Sequence, residues 1–252
     1  MKKYLELFEG AFDSTVADKI KPENKPYVAY SKTEGVVYTV IPEELISAYQ
    51  MVDLGLSVKW ADRNVGATSP EDAGLYFSWG NVDGHAVDEN GNTIDGYSFD
   101  SDTYAATSGG QYTGSTLDAE HDAATVNMGE EWRMPTVDET LELVQNTDQY
   151  CIDLSGNTAA SYGSKLRSIC FVKKGEAFDY NNRSNFIEFP LAGLYSDSLL
   201  SDEGFIGYIR SSSIADDYEV GCAHDLFASE SGLFGDNFSY RYYGLSVRGV
   251  HA

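Results

Sequence analysis

Val52-Asp53-Leu54-Gly55-Leu56-Ser57-Val58-Lys59-Trp60-Ala61 places Leu54, Leu56, Val58 and Trp60 at alternate positions, with Gly55, Ser57 and Lys59 between them. Side chains repeating every second residue put one face of an extended chain on a core and the other in water, so the stretch predicts a half-buried strand. Gly74-Leu75-Tyr76-Phe77-Ser78-Trp79-Gly80 predicts a second strand set between two glycines, after a turn at Pro70-Glu71-Asp72. Far along the chain, Gly244-Leu245-Ser246-Val247-Arg248 echoes Gly55-Leu56-Ser57-Val58-Lys59 in length and alternation. The echo predicts that the two are neighbours in one sheet.

Outward from these strands, Thr136-Val137-Asp138-Glu139 has the residues of a capping box, a hydroxyl for the amide three positions on and a carboxylate that reaches back. Leu141, Val144 and Leu143 supply the apolar stripe of a helix ending near Asn146. Asp118 to Val126 is a weaker helical candidate. Ile169-Cys170-Phe171-Val172 and Phe186-Ile187-Glu188-Phe189-Pro190 predict further short strands. Residues 81–117, rich in Gly, Ser, Thr and Asp, predict a long ordered surface insertion with a turn at Asn90-Gly91. Few helices among short strands and long loops make residues 51–252 an α+β domain.

Ahead of that domain, Tyr27-Val28-Ala29-Tyr30 and Val36 to Ile41, joined by Lys32-Thr33-Glu34-Gly35, predict a β-hairpin, and Pro42 to Gln50 a linker or short helix. A lone hairpin is marginal in water, so residues 1–50 must pack on the rest of the chain or on a partner. Charge divides the chain at the same place. The 252 residues carry 40 Asp and Glu against 17 Lys and Arg, a net of −23. Residues 1–50 hold six Lys against eight acidic residues, which leaves −21 for residues 51–252. Such a field repels phosphate backbones and anionic lipid, so no nucleic-acid partner is expected. No apolar run approaches the ~18 residues of a membrane span, and Glu6 and Glu9 interrupt the apolar stretch an export signal would need. The expectation is a soluble chain made in the cytoplasm. Cys151, Cys170 and Cys222 are widely spaced, which reads as reduced thiols rather than a disulfide framework.

The series Val52 to Ala61, Asn64-Val65-Gly66-Ala67 and Gly74 to Gly80 resembles the opening of the Fibrobacter succinogenes major paralogous domain. Asp122 to Gly129 with Trp132-Arg133-Met134-Pro135-Thr136 resembles its middle, and Arg210-Ser211-Ser212-Ser213 with Arg241 to Arg248 its end. The resemblance covers residues 51–252 and implies a C-type-lectin-like fold, similar to formylglycine-generating enzymes and to variable proteins diversified by retroelements. That fold joins its first and last strands in one sheet. Residues 1–50, with Tyr4 to Phe12 and the hairpin, resemble anchoring segments of virion proteins from tailed phages of gut Bacteroides.

Catalytic motifs are missing: no Gly-x-Ser-x-Gly, His-Glu-x-x-His, Walker or dinucleotide loop occurs. Formylglycine-generating enzymes use a close cysteine pair, whereas Cys222 stands alone near the end of this domain. No enzyme activity is expected. Asp88, Asn90 and Asn92 copy three ligand positions of an EF-hand, but Thr93 and Phe99 stand where Gly and Glu are needed, so a hairpin turn is the better reading. No cofactor is assigned, and calcium stays open for so acidic a domain. Between Phe205 and Tyr243, Tyr208, Arg210, Asp216, Asp217, Tyr218, Asn237, Tyr240 and Tyr242 lie among Gly and Ser. Rigid aromatic area with adaptable polar groups is the composition of a ligand-binding surface. By resemblance this segment also displays the ligand face of the diversified relatives.

These features predict a virion protein on the capsid exterior, a head fibre or capsid decoration. Residues 1–50 would bind capsid proteins and sister copies as a homo-trimer, and the loops would bind a host-surface glycan or protein. A bacterial surface or secreted adhesin with the same domain is the alternative, and a formylglycine-generating-type enzyme stands third.

Overall fold

In the computed structural model, which describes residues 27–31, 36–40, 49–159, 165–215, 221–230 and 232–252, the stretch around Trp60 is a tight reversal rather than one strand. β1 (Tyr27–Ser31) and β2 (Val36–Val40) form the expected antiparallel hairpin, with Tyr27 opposite Val40. β3 (Met51–Val52) and β4 (Lys59–Ala61) then pair antiparallel, Val52 opposite Trp60. Gly55 turns the chain between them at φ +75°, a conformation that costs glycine little, and its amide donates to the Asp53 carboxylate at 2.8 Å. The alternation survives as burial: Val52, Leu54, Val58 and Trp60 are buried, while Asp53, Ser57 and Lys59 are exposed.

β5 (Tyr76–Phe77) is buried as expected. Gly74 precedes it at φ +74°, with the Val65 carbonyl oxygen 2.4 Å from where a Cβ would stand, so no other residue fits there. The ends of the domain meet, but not through the echoed segments. β15 (Val250–His251) pairs with β4, Val250 opposite Trp60, whereas β14 (Leu245–Ser246) pairs with β5. Arg248, wholly buried, fastens this junction. It donates from Nε to Asn64 Oδ1 at 2.8 Å, from Nη1 to the Ala61 carbonyl at 2.9 Å and from Nη2 to the Glu188 carbonyl at 2.8 Å.

The remaining strands form antiparallel units. β6 (Thr147–Asp153), β7 (Leu166–Lys173) and β8 (Phe186–Pro190) make one sheet, and β9 (Leu194–Ser196) with β10 (Leu199–Ser201) a small hairpin. β11 (Ile206–Ile214), β12 (Cys222–Ser229) and β13 (Gly232–Tyr240) extend a five-stranded sheet in the order β13-β12-β11-β14-β5, in which only β11 and β14 run parallel.

Four helices occur among the described residues: α1 (Ser101–Ala105), α2 (Ser108–Gln111), α3 (Ala123–Met128) and α4 (Val137–Asn146). Both halves of the predicted capping box are formed at α4, the Thr136 amide donating to Glu139 Oε2 at 2.8 Å. The buried stripe differs from expectation. Leu143 and Thr140 are fully buried, and Leu141 and Val144 only half so. Thr140 tolerates the core because its hydroxyl donates to the Gly235 carbonyl of β13 at 2.6 Å.

Residues 81–117 are not merely a surface insertion, since Phe99 and Tyr104 are buried and Phe99 packs 5.4 Å from the Tyr195 ring. Trp60, Leu143, Phe171, Phe189 and Leu226 centre one core, and Phe77, Trp79, Met128 and Trp132 another. Tyr49 joins the second, its hydroxyl accepting from the Gly66 amide at 2.8 Å. The chain is an α+β protein of short, mostly antiparallel strands.

Candidate functional site

Cross-strand partners share a face of a sheet, so the register of β11, β12 and β13 sorts the predicted residues into rows. Tyr208 lies opposite Phe227 and Phe227 opposite Phe234; one step along, Arg210 lies opposite Asp225 and Asp225 opposite Asn237. The first row is an aromatic ladder, with ring centroids 5.5 Å apart for Tyr208–Phe227 and 5.8 Å for Phe227–Phe234. It ends on Phe234, which is 55% exposed.

The second row is polar and sits deeper. Asp225 and Arg210 are wholly buried, with Arg210 Nη1 4.0 Å from Asp225 Oδ2. The Asp225 carboxylate accepts from Asn237 Nδ2 at 2.8 Å and from Ser239 Oγ at 2.7 Å. Arg210 donates to Ser239 Oγ at 2.9 Å and to the carbonyls of Tyr240 at 3.1 Å and Tyr243 at 2.9 Å. Burial pushes the guanidinium down to about 10, with Asp225 pulling the other way, so it stays a cation at neutral pH. Burial raises the Asp225 carboxyl against the pull of Arg210, Asn237 and Ser239.

Arg210 thus clamps the turn that follows β13, and that turn carries three half-buried tyrosines. Tyr240 and Tyr242 stack at 5.1 Å with planes 11° apart, and Tyr243 stands edge-on to both, at 5.5 and 4.9 Å. Burial pushes the Tyr242 phenol up to about 12, leaving it a neutral hydrogen-bonding group. Beside the turn opens a hollow of 310 Å³ walled by Leu194, Tyr208, Phe227, Asn237, Tyr240 and Tyr243. Apolar walls with a few convergent polar groups are the usual make-up of a small-ligand site.

Of the predicted residues, Tyr208, Asn237 and Tyr240 line this hollow, and Tyr242 stacks behind it. Arg210 is also present but faces inward, where it positions the turn and reaches no ligand. Asp216, Asp217 and Tyr218 lie outside the described residues. Phe227, Asp225 and Ser239 were missed, although their period-two spacing, Asp225-x-Phe227 and Asn237-x-Ser239, matches Tyr208-x-Arg210 and marks one face. The Asp88 loop closes on itself: its carboxylate accepts from the amides of Asn90 and Asn92, each at 2.9 Å. Among the described residues no three His, Cys, Asp or Glu side chains converge on a metal position. No helix among them is long and apolar enough to cross a membrane. No protein-family model matches the chain, and comparison with the curated proteins and with the solved structures finds no match.

Proposed function

We propose that this chain is a non-enzymatic virion protein, a head fibre or capsid decoration, whose residues 51–252 form a C-type-lectin-like domain that displays a ligand-binding surface. The pairing of β4 with β15 supports the lectin-like reading, because the resembled fold joins its first and last strands. The observation that carries ligand binding is the tyrosine turn, half-buried, clamped from beneath by Arg210 and set against an aromatic hollow. Stacked tyrosines offer flat faces to a sugar ring, and Asn237 offers polar atoms to orient it. The charge of −23 favours neutral glycans or basic protein patches over sulfated or sialylated glycans. Residues 1–50 attach the domain to capsid proteins and to sister copies, as a trimer by analogy with closed symmetric fibres.

A glycan array probed with the full chain, with and without calcium, tests the ligand. Neutral-glycan binding should weaken by about 1–3 kcal/mol in the Tyr240→Ala/Tyr242→Ala double variant. A blank array would overturn the glycan assignment and leave a protein ligand. Mass spectrometry of purified particles tests the location, and absence of the chain from virions would sink that part in favour of a bacterial surface adhesin.

A further inference from the structure

The hollow beside the tyrosine turn has few polar side-chain atoms that the protein does not already use. Ser239 Oγ accepts from Arg210 Nη1 at 2.9 Å and donates to Asp225 Oδ2 at 2.7 Å. Tyr243 is hydrogen-bonded to Tyr242, and Cys222 and Tyr240 also have partners within the chain. Two groups in the wall are different. Tyr208 is only 9% exposed, yet its hydroxyl bonds no group among the described residues. Asn237 donates from Nδ2 to Asp225 Oδ1 at 2.8 Å, while its Oδ1 has no partner among them. Neither atom is sealed from solvent, and both residues line the hollow.

The surrounding bonds fix what these two groups offer. Arg210 can only donate, so the Ser239 hydrogen points to Asp225, and the carboxylate of that ion pair accepts from Ser239 and Asn237 alike. The Asn237 amide is thereby held with its nitrogen inward, and it turns an acceptor to the hollow. Tyr208 turns a hydroxyl that can donate. The two side chains share one face of the sheet, on β11 and β13 with β12 between them, which sets their strands roughly 10 Å apart. No charged side chain lines the hollow, and Leu194 with the rings of Phe227 and Tyr240 makes the rest of the wall apolar. The complement is an uncharged group with a donor on one side, an acceptor on the other and apolar substance beside them.

We propose that the hollow takes the acetamido group of an N-acetylated sugar, an inference that rests on the glycan reading above and narrows it. A trans secondary amide points its N–H and C=O in opposite directions and, with a hydrogen bond at each end, spans roughly 7–8 Å. Its N–H donates to Asn237 Oδ1, its carbonyl accepts from the Tyr208 hydroxyl, and its methyl meets the apolar wall. The sugar ring then rests on the tyrosine turn. A plain hydroxyl at the same ring position is too short to reach both groups and leaves the apolar wall unfilled. A free amine brings a charge that no side chain in the lining answers.

Saturation-transfer NMR of the full chain with N-acetylglucosamine, N-acetylgalactosamine, glucose, galactose and Nε-acetyl-lysine tests this. The N-acetylated sugars should respond with the acetyl methyl as the most strongly saturated group, and should bind about tenfold tighter than the plain sugars. Tyr208→Phe removes a hydroxyl that nothing in the fold uses. Its melting temperature should therefore match the parent's, while binding of N-acetylated sugars falls about threefold to tenfold and that of plain sugars stays unchanged. Tyr240→Ala/Tyr242→Ala, by contrast, should weaken every sugar. Equal binding of N-acetylated and plain sugars, or a Tyr208→Phe variant that binds both as the parent does, would overturn the acetamido assignment and leave the glycan reading standing. A lower melting temperature in Tyr208→Phe would overturn it as well, by showing that the hydroxyl serves the fold. Response to no sugar, with or without response to the lysine derivative, would overturn both.

Discussion

Arg210 shows how one side chain can serve a site it never touches. Its bonds to Ser239 and to the Tyr240 and Tyr243 carbonyls tie β11 to the turn beyond β13, and its partner Asp225 has no access to water. Removing one member of a buried charged pair leaves the other uncompensated, so Arg210→Met should cost about 3–5 kcal/mol in denaturant unfolding. Arg210→Lys should not restore the loss, because an ammonium lacks the planar fork that reaches three acceptors at once. By contrast, Tyr240→Ala/Tyr242→Ala should change binding more than stability. In sequence, Arg210 reads equally as a ligand contact or as a clamp, since burial depends on partners 15 to 33 residues away. Tyr208, Asn237 and Tyr240 could be picked out in sequence because tyrosine and asparagine on Gly/Ser-rich segments are the composition of adaptable binding surfaces.

Elements were legible where their signals are local. The capping box of α4 was one, because four consecutive residues decide it, and Thr136→Ala should lower stability by about 1 kcal/mol in thermal or chemical melts. The reversal between β3 and β4 was hidden by a burial pattern that a strand and a turn share, although Gly55 and Asp53 held the clue. Thr140 in the core of α4 could not be foreseen, because its acceptor lies on β13. The β6–β7–β8 sheet carries a buried carboxylate of the same non-local kind. Glu188 on β8 accepts from Ser168, Arg167, Arg183 and Tyr180. Burial pushes its carboxyl up, but the four donors outweigh it and hold it below the ordinary range. A lowered folded value means its stabilisation is complete above the unfolded carboxyl range, near 4.3, and is lost as pH falls through the folded value. Unfolding curves should therefore show an acid limb below about pH 4 that Glu188→Gln flattens. At neutral pH that variant should lose stability at the lower end of about 3–5 kcal/mol, because Arg183 is 41% exposed and partly solvated already.

At the scale of the whole chain, the packed body reaches back to Tyr49, whose hydroxyl and ring are set into the core beside Gly66 and Trp132. A truncation removing residues 1–45 keeps that residue. It should leave a domain with nearly the parent melting temperature, monomeric by light scattering and unable to co-sediment with particles. Persistent oligomers or particle binding would assign attachment to residues 46–252 instead. The α+β class was legible in the short strands set among few helices and long loops. The echo was misleading: it placed Gly55–Lys59 and Gly244–Arg248 in one sheet, but β14 pairs with β5 in a different sheet from β4, and the ends meet through β4 and β15 because partner choice depends on packing that a five-residue alternation does not encode.

The pairing of β4 with β15 also sets a timetable for biosynthesis. Trp60 leaves the ribosome about 190 residues before Val250, the strand partner that helps to enclose it. At the usual 5–20 residues per second, that apolar strand waits roughly 10–40 s for its neighbour. Closure must come late and over a long chain separation, a topology that folds slowly. Until then the net charge of −21 on residues 51–252 sets unfinished chains against one another by mutual repulsion, which opposes their aggregation.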